Sequence, residues 1–296
     1  MQDLRDLECL VALARYRHFA RAAEACGLSQ PAFSMRIRAL EDRLGVRIVR
    51  RGNRFEGLTR EGESVLAHAK SIIGEVRVLE AEVKAARGEI VGSLSFGVIP
   101  TASIHAATLS HQLHARHPRV TTSIRSTNSL GVQHGVEDGL FDIGLTYSDG
   151  IAQDLLRVRP FCEERYTLLA PPALVGEADA ISWSDTAALP LILLDPSMQN
   201  RRIVDGVFRE LGVFPRVVAE TSGFMPAIIM ASEGMGATVI PDVLTRMVSR
   251  PETLRALPLV APDVSRSISL VTTRKGSAMP ALLALLDLLT DETDPR

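Results

Sequence analysis

Cysteine is scarce in this 296-residue chain: Cys9, Cys26 and Cys162 are odd in number and far apart along the sequence. They suggest neither a disulfide framework nor a C-x-x-C metal pair, so a reducing compartment, the cytoplasm, is expected. No apolar run reaches the ~18 residues that cross a bilayer, and even "ALLALLDLL" near the end carries Asp287. The opening "MQDLRDLECL" contains acids and no continuous apolar stretch, which argues against a secretory leader. P-loop, G-x-S-x-G, H-E-x-x-H and dinucleotide fingerprints are all missing, so the chain is read as a non-enzyme needing no cofactor. A large net charge is missing too, at −2. What is present, 46% hydrophobic and 23% charged residues, describes a globular chain of two or three domains.

The near-neutral total hides a local surplus. Between Leu28 and Arg60 stand eight arginines and only three acids, an excess of five positive charges. A basic stripe on a mildly acidic protein is the electrostatic footprint of a nucleic-acid-binding segment, although a charge run alone is more often a solvated face. The surrounding pattern decides between the two. Leu4, Leu7, Leu10, Val11 and Ala14 recur at helical spacing, and "FARAAEAC" predicts a short second helix able to pack closely. Gly27 then stops that helix and Leu28 plugs the turn. Ser29 is a good N-cap, Pro31 suits a first helical turn, and Phe33, Ile37, Leu40 and Leu44 form the buried stripe of a third helix. Helix, helix, glycine turn, helix is a helix-turn-helix, whose last helix enters the major groove by its N-terminal end. "VRIVRRGNRFEGLT" predicts a basic two-stranded wing around Gly52 and Asn53, suited to phosphates or the minor groove. The expected DNA contacts are Ser29, Gln30, Pro31, Ser34, Met35, Arg36 and Arg38 on the helix, with Arg51, Asn53 and Arg54 on the wing.

"RAAEACGLSQPAFSMRIRALEDRLGVRIV", followed by "LTREGE", closely resembles the N-terminal signature of the LysR-type transcriptional regulators. Two positions depart from that pattern. Met35 stands where the family usually has arginine, with Arg36 after it, and His18 precedes Phe19 where the family tends to have serine. A linker helix should follow the wing: Val65, Ala69, Ile72, Val76, Leu79, Val83 and Ala86 alternate in steps of four and three, the period of a two-helix seam. A dimer also suits DNA reading, because one helix makes few base contacts of ~1–3 kcal/mol each. The resemblance implies a tetramer, with RNA polymerase as a further partner alongside double-stranded promoter DNA.

After Gly88 and Gly92 the pattern changes. Strand candidates at 94–98, 120–125, 142–146, 167–170, 191–194, 217–220, 237–240 and 267–271 alternate with helical stretches at 105–116, 201–211 and 224–232, which argues for α/β architecture. The expected fold is therefore an N-terminal all-α winged helix-turn-helix (1–60), a linker and dimerisation helix (61–88), and an α/β effector domain (92–296). The resemblance implies for the last two lobes like those of periplasmic binding proteins, 92–160 with 265–296 and 161–264, joined by two crossovers, the final helix 280–289 returning to the first lobe.

Ligands of open α/β sheets bind beyond the C-terminal ends of strands. Four such ends carry hydroxyl, amide or aromatic groups: Thr101 and Ser103; Thr127, Asn128 and Ser129; Thr146 and Tyr147; Thr221 and Phe224. Each could merely cap a helix, but together they predict a polar pocket for a small polar or anionic effector, with a helix start near Thr101 and Ser103 suited to an anion. Three alternatives rank lower. His105, His111, His114 and His117 lack a carboxylate or cysteine to complete a metal site. A disulfide sensor, as in the peroxide-sensing branch of the family, needs two effector-domain cysteines, and Cys162 is the only one. A regulator that responds to redox state by another route, or to no effector, is the remaining alternative.

Overall fold

The computed structural model describes residues 3–50, 55–85, 90–152, 154–247, 253–274 and 279–291. They fall into two compact units, Met1–Gly92 with Lys275–Ala284, and Ser93–Arg274 with Leu285–Arg296.

The first unit is helical. Helix α1 (Leu4–Tyr16) begins where Asp3 accepts a hydrogen bond from the Arg5 N–H at 3.1 Å. Its buried stripe is Leu7, Leu10 and Leu13, with Leu4, Val11 and Ala14 at the edge of the same core. Helix α2 (Phe19–Ala25) contributes Ala22 and Ala23, both buried, whose small side chains permit close approach. Gly27, at φ 65°, makes the left-handed step that ends it, and the Leu28 N–H closes back onto the Ala23 carbonyl at 2.9 Å. Helix α3 (Gln30–Leu44) packs Phe33, Ile37 and Leu40 inward, and Phe19 meets Phe33 edge to face at 6.2 Å. Helix α4 (Arg60–Ala85) adds Leu66, Ala69 and Ile73 to this core. Removing a large side chain of this kind from water contributes about 1.5–3 kcal/mol. The predicted seam on α4 is therefore divided. Val65 and Ala69 pack within their own unit, while Ile72, Leu79 and Val83 are exposed.

The second unit is built on one ten-stranded sheet with a main path β2-β1-β3-β10-β4-β8-β6-β7. Its first half carries β1 (Gly92–Val98), α5 (Ser103–Arg116), β2 (Val120–Ser126), α6 (Ser129–Glu137) and β3 (Ile143–Tyr147). Strands β1 and β3 are parallel, Phe96 opposite Ile143. The second half carries α7 (Pro172–Val175), β5 (Ile181–Ser182), α8 (Trp183–Ala188), β6 (Pro190–Leu194), α9 (Gln199–Glu210), β7 (Arg216–Thr221), α10 (Phe224–Ser232), β8 (Ala237–Pro241) and β9 (Arg255–Val260). Two long strands cross between the halves: β4 (Leu156–Ala170) and β10 (Ser265–Thr273), which pair antiparallel. Up to Arg165, β4 pairs with β10; from Tyr166 onward it pairs with β8 and, beyond that residue, with β9. The chain ends in α11 (Pro280–Asp291).

The sequence reading anticipated only the last four residues of β4. The preceding "LRVRPFCEERY" is rich in charge and contains Pro160, both depleted in strands. It is extended because β10 pairs with it along its whole length. Helix α6 and strand β9 also went unanticipated: glycines at 131 and 135 weaken the helical pattern, and β9 is a six-residue strand interrupted by Pro258. Gly135 is required there, since a Cβ would lie 2.3 Å from the Phe141 ring.

Candidate DNA-reading head and effector cleft

The N-terminal end of α3 is held outward by a saturated polar frame. Ser29 caps it, its hydroxyl accepting from the Ala32 N–H at 3.4 Å, with Pro31 in the first turn. Gln30, Pro31, Met35 and Arg38 are exposed, Met35 to 69%, and Ser34 is half-buried beside them. Arg36 turns away from this face. Its guanidinium donates to Asp6 at 2.7 Å and to Asp3 at 3.2 Å, and Arg43 pairs with the other Asp6 oxygen. The backbone N–H of Arg5, and then Arg36, hold the Asp3 carboxyl below its ordinary range. Arg36 therefore ties α3 to α1, while Ser29, Gln30, Pro31, Ser34, Met35 and Arg38 stay together at the outer, N-terminal part of α3.

A second buried carboxylate locates the wing. Glu41 Oε1 accepts from the backbone N–H groups of Ile48 at 2.8 Å and Val49 at 3.0 Å, while Oε2 pairs with Arg47 at 3.2 Å. Val49 then bridges antiparallel to Leu58. Thr59 clamps the returning strand, its hydroxyl donating to the Arg47 carbonyl at 2.5 Å and accepting from the Gly62 N–H at 2.9 Å. Arg51, Asn53 and Arg54 lie outside the described residues.

One relation in this unit was invisible in the sequence. Cys9 and Cys26, 17 positions apart, lie close enough for each thiol to influence the other's ionisation. Burial pushes Cys9 up to about 12, which keeps it a protonated thiol.

In the second unit the polar groups are arranged differently. A bulge at Phe161 interrupts the pairing of β4 with β10, between Pro160 opposite Ser269 and Cys162 opposite Ile268. Beyond it Cys162, Glu164 and Tyr166 alternate onto one face of β4. Glu164 is 2% exposed, and its Oε1 accepts from the Tyr147 hydroxyl at 2.9 Å. Its Oε2 has no hydrogen-bond partner, and neither do the buried Thr101 Oγ1, Tyr166 hydroxyl or Asn200 Nδ2. Burial raises the Glu164 carboxyl to about 7, against the opposing pull of the Thr101, Tyr147 and Tyr166 hydroxyls around it. Tyr147 in turn feels Asn200, so one cluster joins α9 of the second half to β3 and the turn before α5 of the first. Asn200 is steadied by its neighbour: Arg201 donates to the Leu194 carbonyl at 2.6 Å, to Glu220 at 2.8 Å and to Asp205 at 2.8 Å.

A cavity of about 390 Å³ opens onto this cluster. Glu163, Glu164 and Cys162 line it from β4, Asp242 and Arg246 from the turn after β8, and His105 from α5. The Cys162 sulfur lies 3.6 Å from His105 Nε2, and burial lifts the thiol to about 11. Among the described residues no three His, Cys, Asp or Glu side chains are placed to share a metal ion.

Of the expected effector contacts, Thr101 and Tyr147 belong to the cluster. Thr146 is fully buried with an unpartnered hydroxyl, but as the neighbour of Tyr147 it faces the other side of β3. Asn128 caps α6 by accepting from the Gly131 N–H at 2.8 Å, with Thr127 half-buried before it, and the buried hydroxyl of Ser129 is unpartnered. Thr221 donates to the Gly223 carbonyl at 2.9 Å, and Phe224 packs against the second half's core. Ser103 is half-buried at the first turn of α5. Glu164, Tyr166, Asn200 and Asp242 were missed. The available signal was the period-two alternation of "CEERY" running straight into the apolar "TLLA".

Residues 4–63 match the profile of the bacterial regulatory helix-turn-helix proteins of the lysR family, and residues 87–294 match the LysR substrate binding domain. Among characterised relatives, the DNA-binding transcriptional dual regulator OxyR of Escherichia coli K12 is 28% identical over 281 residues, covering 94% of this chain and 91% of that protein. A full-length OxyR variant from Pseudomonas aeruginosa has a similar fold, with a TM-score of 0.75, 24% identity and coverage of 98% and 94% of the two chains. Full-length CbnR in complex with its target DNA superposes with a TM-score of 0.67, at 21% identity, over 99% of this chain and 100% of that one.

Proposed function

Because the chain belongs to the LysR family and is thus a DNA-binding transcriptional regulator, we propose a division of labour in which α3 reads promoter bases and the cluster around Glu164 receives a small polar effector. Gln30 and Ser34 read base edges, Met35 offers apolar contact to a thymine methyl, and Arg38 with the wing arginines Arg51 and Arg54 holds phosphates. We place the domain limits near residues 60, 88 and 92; the start of α4 at Arg60 and of β1 at Gly92 supports the first and last of them. The exposed row Ile72, Leu79 and Val83 on α4 suits a helix seam with a second copy. The protein works in the cytoplasm, where promoters are, and has no catalytic role.

The observation that carries the effector assignment is the convergence of Glu164 Oε2, Thr101 Oγ1, the Tyr166 hydroxyl and Asn200 Nδ2, buried without partners in one cluster. Buried polar groups in a native protein are normally satisfied, and a ligand supplies what this chain leaves open. Several similar relatives are hydrogen peroxide-inducible genes activators. A peroxide response through paired effector-domain thiols is not available here, since Cys162 is the sole cysteine beyond Cys26.

Titration of promoter DNA at several salt concentrations tests the DNA side. With about 6 phosphates neutralised per complex, log K should fall with log salt at a slope of about −5. Gln30→Ala should relax sequence preference at a cost of about 1–3 kcal/mol. A flat salt response, or unaltered preference in that variant, would refute the assignment.

A further inference from the structure

We propose that the effector is a small primary amine, bound as the ammonium ion against Glu164. The proposal rests on the reading of this cluster as the effector site and specifies what the site selects.

Charge is the first argument. The cavity beside the cluster is lined by three carboxylates, Glu163, Glu164 and Asp242, against the single guanidinium of Arg246. His105 does not add a charge: burial, and then Arg246, push its pKa below the ordinary value, so it is neutral at physiological pH. A carboxylate or phosphate entering here meets an excess of acidic groups. An ammonium group meets complementary ones, and the exposed Glu163 and Asp242 at the rim favour its approach.

The second argument is the unpartnered oxygen. Glu164 is held by one hydrogen bond, from Tyr147 to Oε1, which leaves Oε2 buried as an acceptor with no donor. Asp242 is not similarly open, because its Oδ1 accepts from the Val243 N–H at 2.8 Å. Glu164 is therefore the acid with an open oxygen, bordered only by the neutral hydroxyls of Thr101 and Tyr166, and an ammonium provides three donors with the compensating charge. Asn200 Nδ2 is the converse, a buried donor without an acceptor. Amino acids and amino alcohols carry the amine that Glu164 calls for, together with an oxygen acceptor.

The test uses the full-length chain. Thermal shift, then calorimetry, would be run with the proteinogenic amino acids, ethanolamine and putrescine, alongside matched alcohols and dicarboxylates without an amine. At least one amine should raise the melting temperature, and Glu164→Gln should weaken its binding about tenfold or more, with a smaller loss for Asp242→Asn. Without ligand, Glu164→Gln should melt no lower than the wild type, because glutamine keeps the Tyr147 contact and removes the buried charge. A lower melting temperature in that ligand-free variant would make Glu164 a structural residue and overturn the proposal. Binding confined to dicarboxylates, lost in Asn200→Ala and unharmed by Glu164→Gln, would overturn the amine while leaving the effector site in place. Absence of binding by every class would overturn both.

Discussion

Asp6 and Glu41 in the helical head and Glu164 in the α/β unit are all buried carboxylates, and their surroundings are opposite. Asp6 takes guanidinium groups from Arg36 and Arg43, and Glu41 takes two backbone N–H groups and Arg47. Glu164 takes one phenol and leaves an oxygen open. Saturation in the head makes its acids part of the scaffold that aims α3. Incompleteness in the cleft leaves an unfavourable interaction in place, which binding at the proposed effector site would relieve. Two residues of the same type thus separate by the number of donors around them, not by burial.

The largest expected effect breaks the saturated side. Glu41→Ala strips two backbone donors of a charged acceptor and should cost about 3–5 kcal/mol. It should also free the wing, so unfolding by circular dichroism and DNA affinity should fall together. If Glu41→Ala were as well tolerated as Glu164→Gln, the contrast would fail.

The open side should show in pH dependence. Glu164 has its folded pKa raised from 4.5 to about 7, so the folded state holds a proton that the unfolded state has released between these values. Stability contributed by this group is therefore present below pH 4.5 and lost as pH rises through 7, by about 3 kcal/mol on the scale of 1.36 kcal/mol per pKa unit. The wild-type minus Glu164→Gln difference in unfolding free energy, measured from pH 5 to pH 8, isolates this loss from other titrating groups. A difference that stays constant or grows with pH would contradict it.

Smaller effects sharpen the picture of the head. A Cβ on Gly62 would sit 2.2 Å from the Ile48 carbonyl oxygen, so Gly62→Ala should cost about 2 kcal/mol by forcing wing and linker apart. His18 opens α2 without a side-chain cap, and His18→Ser should stabilise the head by about 1 kcal/mol if the serine hydroxyl takes the empty role. Melting temperatures of the two variants, moving in opposite directions, check both.

The head was legible in the sequence because its logic is local: Gly27, Ser29 and Pro31 punctuate the chain within a few residues. The linker was half legible, since periodicity cannot tell a row that faces α1 from one that faces a partner. The cleft was least legible. Thr101 and Tyr147 could be found as strand-end residues, but Glu164 reaches them through the pairing of β4 with β10, partners about a hundred positions apart. A carboxylate between two charged neighbours in "CEER" reads as solvated until that pairing buries it. Arg36 shows the same limit in reverse: it resembles a phosphate contact until α1 brings Asp6 beneath it.

The close seating of Gly62 on Ile48, with Thr59 bonded to both sides of the joint, has a mechanical meaning. Wing and linker move as one crank, with no slack at the elbow. Helix α4 has 26 residues, giving an arm of about 39 Å, so a displacement of about 7 Å at its far end turns the wing by roughly 10°. By lever arithmetic alone, a coarse movement at the far end of α4 would reach the wing as a small turn.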